Sequence, residues 1–273
     1  DIKIITRFVK SGYTKIGGGK RLPIIDIASK SDFDVWASEF ESIITERPVA
    51  YDVETRHDKI ITLAICDGQR IWWLDVRRRW WDDSCRKTLK RLFENKKAKE
   101  IIAHFCENDD QWMRDTFNIK VKTSYDTARA HYILNAARSS GTTRLGLKEI
   151  AGNVLDMRGY EDDMDLFLAT HALVSEEGKQ KVITIEELKR RKEDKRLTVI
   201  ENKLDHSHIY LAPTKVLRPY NCADAEATYA LYKITKEKLI KEKILLRLFR
   251  RLMMPGTHAL RRIMHNGMLV DSK

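Results

Sequence analysis

The stretch Val49-Ala50-Tyr51-Asp52-Val53-Glu54-Thr55 decides how this chain is read. It is apolar enough to be a buried strand, yet it carries two carboxylates one residue apart. Side chains alternate faces along a strand, so Asp52 and Glu54 point the same way. Their mutual repulsion is on the order of 1 to 4 kcal/mol at surface-like dielectrics, and something positive must offset it. A divalent cation bound by oxygen ligands is the usual solution. A strand end with two solvated acids is the alternative, and the stretch alone does not choose between them.

The flanking sequence builds a sheet around it. Lys59 to Asp67 and Arg70 to Val76 are further β-prone runs joined by a turn at Asp67-Gly68, which makes an antiparallel meander with the first. Upstream, Leu22 to Ile27 can form a strand. Asp32 or Asp34 can cap a helix whose apolar positions Phe33, Trp36, Phe40, Ile43 and Ile44 recur at helical spacing. Ser84 to Asn95 reads as an amphipathic helix with Leu89, Leu92 and Phe93 inward, and Lys99 to Phe105 as the next short buried strand. Strand, helix, strand is a crossover. The pattern describes an α/β protein with a mixed β-sheet flanked by helices, as in the ribonuclease H-like fold.

Composition narrows the partners. The 273 residues suffice for one large domain or two smaller ones, and the net charge of +11 favours polyanions, nucleic acid first and membrane surfaces second. Acids facing a phosphate backbone repel it unless metal ions sit between them. The cysteines Cys66, Cys85, Cys106 and Cys222 form no Cys-x-x-Cys pair, so neither a zinc site nor a disulfide framework is indicated, and a reducing compartment fits. No apolar run approaches membrane-spanning length and the start lacks a signal-peptide layout, so a soluble intracellular protein without a membrane partner is expected.

Two further constellations carry chemistry. Glu107-Asn108-Asp109-Asp110-Gln111-Trp112-Met113 should begin a helix just beyond a buried strand, and one of its acids can face the strand pair. Much later, Arg218-Pro219-Tyr220-Asn221-Cys222-Ala223-Asp224 opens another helix, on which Tyr220 and Asp224 stand four apart and share a face. Taken in order, these motifs resemble the DEDD family of 3′-to-5′ exonucleases. They match the subclass with a tyrosine in its third motif, in particular the proofreading domain of family A DNA polymerases. Tyr125-Asp126-Thr127-Ala128, followed by Leu145-Gly146-Leu147-Lys148, is similar to the family's Asp-Thr and Gly-Leu-Lys helices. The resemblance covers about residues 22 to 271.

Carried over by position, the resemblance implies that Asp52, Glu54, Asp109 and Asp224 hold two divalent ions, Mg²⁺ or Mn²⁺. It also implies that Tyr220 orients the attacking water and that Thr55 lies near the terminal 3′-OH. One departure stands out: the family usually has Asn after the position of His104, and here Phe105 follows. The role of that side chain at the primer end is lost or passes to Asn108. Asp110 leaves the second-motif acid open, with Asp109 preferred because Met113 then keeps an apolar offset of four.

The remaining segments divide the chain. Residues 1–21 read as an N-terminal arm in which Gly17-Gly18-Gly19-Lys20 is a linker rather than a phosphate loop. Arg77-Arg78-Arg79-Trp80-Trp81 either grips a backbone and stacks on bases or tucks its tryptophans under the next helix. Residues 22–245 form the exonuclease domain with an insertion at about 156–217. In that insertion Glu161-Asp162-Asp163-Met164-Asp165 with Leu166 and Phe167 reads as a solvated helix face, and Lys189 to Arg196 as a basic helix. Residues 246–273 look like the opening of a polymerase domain, with a helix ending at Gly267 and a short strand after it. Met253, Met254, Leu260, Ile263 and Met264 would then form an apolar face that is exposed or folded back, with the end of the chain loosely held.

The expected function is metal-dependent 3′-5′ exonuclease activity on DNA 3′ ends, as the proofreading part of a polymerase in bacterial or phage-infected cytoplasm. Its partners would be single-stranded DNA or a primer end and a missing C-terminal polymerase domain. A ribonuclease D-like RNA exonuclease shares the same acids and tyrosine but continues into a helical RNA-binding domain. A catalytically silent primer-end binder is favoured only by Phe105.

Overall fold

In the computed structural model, which describes residues 21–135 and 145–267, the apolar runs pair into a six-stranded mixed sheet. Its strands are β1 (Ile24–Asp26), β2 (Val49–Arg56), β3 (Lys59–Cys66), β4 (Ile71–Asp75), β5 (Ile101–Ala103) and β6 (Tyr125–Asp126). They lie in the order β1-β4-β3-β2-β5-β6. The β2, β3 and β4 meander is antiparallel. The pairs β1 with β4, β2 with β5 and β5 with β6 are parallel. This is the ribonuclease H-like architecture, flanked by helices and followed by a helical extension.

Period-two alternation in β2 assigns each face. Val49, Tyr51 and Val53 enter the main core with Phe33 and Phe40 of α1 (Lys30–Glu46), Leu89 and Phe93 of α2 (Asp83–Phe93), and Met113 of α3 (Cys106–Phe117). Ser29, rather than Asp32 or Asp34, caps α1; Asp32 closes the capping box from the N3 position. On the opposite face, Ala50 packs with Ile102 and Tyr125. There α4 (Thr127–Asn135) and α5 (Leu147–Val154) lie against the long α8 (Thr214–Lys241). The side chains between α8 and the sheet centre are small: Ala64 and Cys66 meet Cys222 and Ala225. Small residues let the helix backbone come close to the strands. This helix begins at Thr214, one turn earlier than the sequence suggested, with Pro219 inside it. The β3–β4 turn fits equally closely, since Gly68 has φ 83° and a Cβ there would overlap the Tyr229 ring.

Trp80 and Trp81 are tucked, packing near Phe33, with Trp81 also near Phe117. Arg77 pairs with Asp75 and Arg78 with Asp26. Residues 156–217 carry α6 (Asp162–Thr170), β7 (His171–Glu176), β8 (Lys179–Thr184), α7 (Ile185–Arg190), β9 (Leu197–Glu201) and a 3₁₀ turn, His206–Leu211. The three strands form a small antiparallel sheet with β7 at its centre. Met164, Phe167, Leu173 and Tyr210 fasten this segment to Ile61 and Tyr220. Phe167 is thus core, while Leu166 is exposed. The basic run is not one helix: α7 ends at Arg190, and Arg191 reaches Glu176, Glu187 and Asp194.

After α8 come α9 (Lys243–Leu248), a π-helical turn (Phe249–Met253) and α10 (Met254–Asn266). The expected apolar face divides. Met254 is buried and Met253 packs beside it, whereas Leu260, Ile263 and Met264 are exposed. Arg261 of α10 forms an ion pair with the buried Asp110 and donates to the Val121 carbonyl at 3.3 Å. Most of the arm, with its glycines, and the strand expected after Gly267 lie outside the described residues.

Candidate active site

The acids converge because β2 aims Asp52 and Glu54 at the face that α8 covers. Asp52 pairs with Ala64 and Glu54 with Thr62, so small partners flank both, and a register shift follows between Glu54 and Thr55. Both acids are half-buried, and Asp224 of α8 is buried opposite them. Ligand oxygens of Asp52, Glu54 and Asp224 all lie within 4.8 Å of one another. Each of two of these carboxylates receives a side-chain hydrogen bond. Asn221 Nδ2 donates to Asp52 Oδ2 at 2.7 Å, and the Tyr160 hydroxyl donates to Asp224 Oδ1 at 2.6 Å.

The fourth acid enters from α3. Asp109 lines a cleft of about 410 Å³ together with Asp52, Asp224, His104, Phe105, Asn108 and Lys148. Asp110, one position on, turns into the core. There it accepts from the Tyr51 hydroxyl and from Thr123 Oγ1 at 2.5 Å and meets Arg261. Adjacent helical residues point about 100° apart, which separates these two acids. Thr55 is half-buried beyond the register shift and outside the cleft lining.

The start of α3 is unusual. Phe105 occupies its N-cap with φ 54°, a left-handed conformation that suits Asn or Gly better than an aromatic residue. Its side chain cannot cap, and Asp126 Oδ2 accepts from the Cys106 N–H at 2.8 Å instead. His104 is held between Thr127 Oγ1 at 2.8 Å and the Leu145 carbonyl at 2.7 Å, which ties β5 to α4 and to the approach to α5. Cys106, Glu107 and Asp126 also stand close together. Their carboxylates are engaged by the backbone N–H groups of Cys106 and Arg129 and by the Arg129 guanidinium.

The electrostatics of the acid cluster are those of crowded like charge. Burial first, then Asp224, pushes the Asp52 carboxyl well above the usual range; burial, Asp52 and Asp224 do the same for Glu54. Asp109 is raised by burial and by Asp52, Glu54, Asp126 and Asp224. Asp224 is pushed up to about 6 by burial, against the opposing effects of the Tyr160 hydrogen bond and Lys148. The Lys148 ammonium lies 4.7 Å from the centre of the Tyr220 ring. Burial and then Asp224, Glu54 and Asp52 push the Tyr220 phenol upward, so it stays protonated at neutral pH. Anionic oxygens gathered with so little countercharge fit a hard divalent cation.

Asn221, Tyr160 and the placement of Lys148 were not assigned from sequence. Helical spacing from Asp224 would have found Asn221, three residues earlier on α8. Lys148 lies in the quoted Gly-Leu-Lys stretch, and nothing in the sequence around Tyr160 marks it.

The sheet, its covering helix and the acids between them define a hydrolytic nuclease with the DEDD exonuclease fold. The family model described as 3′-5′ exonuclease matches residues 27–240, and the chain belongs to that family. No curated protein matches by sequence. Among solved structures, the catalytic core of RRP6 from Trypanosoma brucei is similar at 12% identity and TM-score 0.54, covering 87% of this chain and 53% of that one. Escherichia coli RNase D, an exoribonuclease involved in structured RNA processing, is similar at 13% identity and TM-score 0.54, covering 92% and 52%. The POL domain of Pol1 from M. smegmatis, in complex with primer-template DNA and dNTP, matches at 14% identity and TM-score 0.56, covering 90% and 33%. This chain therefore spans about half the length of the first two and a third of the last.

Proposed function

We propose that this chain removes nucleotides from DNA 3′ ends by hydrolysis, with Asp52, Glu54, Asp109 and Asp224 holding two divalent ions, Mg²⁺ or Mn²⁺. The observation that carries the reading is the convergence of Asp52, Glu54 and Asp224 within 4.8 Å, with Asp109 on the same cleft. When bound, such ions neutralise the acids, lower the pKa of a water and offset charge on the leaving oxygen. The protein's own groups do the rest. Tyr220, protonated, serves as a hydrogen-bonding positioner for the attacking water and not as a base. Lys148 brings positive charge to the cleft, where the phosphate anion must approach four carboxylates. Asn108, exposed on the rim, is placed to touch the terminal nucleotide.

The proofreading context, with residues 246–273 as the opening of a polymerase domain and a bacterial or phage cytoplasm as the setting, rests on the motif resemblance; the fold match to Pol1 is compatible with it. No helix among the described residues is long and apolar enough to cross a membrane. A second reading, RNA 3′-end trimming, is favoured by the fold likeness to Escherichia coli RNase D, an exoribonuclease.

End-labelled single-stranded DNA and RNA of one sequence, incubated with and without Mg²⁺, separate the readings. The expected result is Mg²⁺-dependent shortening from the 3′ end, faster on DNA, and abolished by Asp52→Ala with Glu54→Ala. Preference for RNA would move the function to the second reading. Absence of cleavage on both substrates in the presence of Mg²⁺ would leave a silent end-binding domain.

A further inference from the structure

The loop between α5 and α6 delivers one phenol to the acid cluster. Gly159 turns the chain there at φ 74°, in the left-handed region that favours glycine. The next residue, Tyr160, is 5% exposed and belongs to a buried cluster with Ala151, Met157, and Ala223 and Ala227 of α8. Small side chains on α8 open the slot that the ring fills. At its end the hydroxyl donates to Asp224 Oδ1 at 2.6 Å.

A carboxylate on a helix can rotate about its terminal torsion, which is broad and two-fold. A short hydrogen bond to one oxygen, from a ring held in a buried cluster, removes that freedom and leaves the other oxygen for a cation. Asn221 restrains Asp52 in the same manner from within α8. The difference is that Tyr160 comes from another part of the chain, at the entrance to the 156–217 segment.

We propose that Tyr160 is a positioning residue for the metal site: it holds the Asp224 carboxylate in the orientation that converges on Asp52 and Glu54. This rests on reading the acid cluster as a divalent-cation site. Partners that orient metal ligands commonly contribute 10- to 100-fold in metal affinity, and the lower end is expected where only one hydrogen bond is removed.

Tyr160→Phe keeps the ring and its packing and deletes only the hydroxyl. Mn²⁺ is titrated into the whole chain at neutral pH, with free Mn²⁺ read from its paramagnetic resonance signal, for the wild type, Tyr160→Phe and Asp52→Ala/Glu54→Ala. The expected result for Tyr160→Phe is about tenfold weaker binding of at least one ion. Its melting temperature in EDTA should stay close to wild type, and the Mg²⁺ concentration for half-maximal hydrolysis should rise in parallel. Tyr160→Leu, which removes the packing as well, should lose melting temperature in addition.

Wild-type Mn²⁺ affinity in Tyr160→Phe would overturn the proposal, whatever its melting temperature, because a hydroxyl with only a structural role would leave affinity unmoved. If the wild type binds no more Mn²⁺ than Asp52→Ala/Glu54→Ala, the cluster is not the cation site and the functional reading falls with the inference.

Discussion

Replacing Asp224 by Asn should stabilise the metal-free protein, and by an amount that depends on pH. The buried carboxyl of Asp224 is raised from the ordinary 3.8 to about 6, chiefly by burial. A carboxyl raised in the folded state contributes stability below its unfolded value, and that stability is lost as pH rises through the folded value. The ionised group therefore penalises folding above pH 6, and the interval corresponds to about 3 kcal/mol at 1.36 kcal/mol per pH unit. Asn is neutral throughout, and its amide oxygen can still accept from Tyr160, so the substitution removes the charge with little change of shape. Relief of Asp52 and Glu54, which Asp224 also pushes up, adds to the effect. Urea denaturation in EDTA should show the two proteins nearly equal below about pH 4 and the variant more stable by about 3 kcal/mol above about pH 7. Mg²⁺ at a thousand times its dissociation constant should reverse the order, since an ion bound only to the folded wild type restores about 4.1 kcal/mol there. A stability difference independent of pH, or a variant less stable at neutral pH in EDTA, would refute the reasoning.

Asp109→Asn should lower hydrolysis by several orders of magnitude, whereas Asp110→Asn should leave the rate nearly unchanged; single-turnover kinetics of the two variants distinguish them. Arg261→Met strands the buried Asp110 carboxylate and should cost about 3 kcal/mol in urea denaturation, because breaking a buried pair is expensive. Lys148→Gln should reduce kcat/KM by about tenfold or more without a fall in melting temperature, which steady-state kinetics and a thermal scan would test together. Gly68→Ala should destabilise the fold by at least about 1 kcal/mol, from left-handed strain and overlap with the Tyr229 ring, read as a lower melting temperature.

The central sheet was legible because its signals are local. Alternation in Val49–Arg56 and the turn at Asp67-Gly68 both operate within a few residues, and their geometry leaves little choice of pairing. The α1 stripe from Phe33 to Ile44 was equally plain, although its cap was read from the acids when Ser29 supplies it. The start of α8 was misplaced because Pro219 looked like a first-turn residue. Proline is tolerated there in sequence logic, whereas the helix starts back at Thr214, where the Pro213 carbonyl accepts from Val216 and Leu217 and where Leu217 and Tyr220 pack into the core. Long-range pairing was out of reach. Arg191 reads as one more basic residue until the fold brings Glu176 to it. The choice between Asp109 and Asp110 could be inclined by an offset of four but depended on Tyr51, Thr123 and Arg261, which lie far apart in sequence. Tyr160 belongs to the same class: a lone tyrosine after a glycine has no signature, and its partner lies 64 positions away.

Asp109 and Asp110 are consecutive on α3, so the setting of one about the helix axis fixes the setting of the other. Tyr51, Thr123 and Arg261 clamp Asp110 from three directions, and one of the three belongs to α10. The clamp acts as a rotational lock. Withdrawing α10 would leave an anion buried without its cation, at a cost of about 3 to 5 kcal/mol. One escape, besides protonation of the carboxylate, would be for α3 to roll until Asp110 reached water. Such a roll would carry Asp109 away from Asp52, Glu54 and Asp224. The angular setting of Asp109 towards Asp52, Glu54 and Asp224 is therefore borne in part by α10, through Arg261 and Asp110, and a torque applied to α10 would register at the cleft as a loss of the fourth acid.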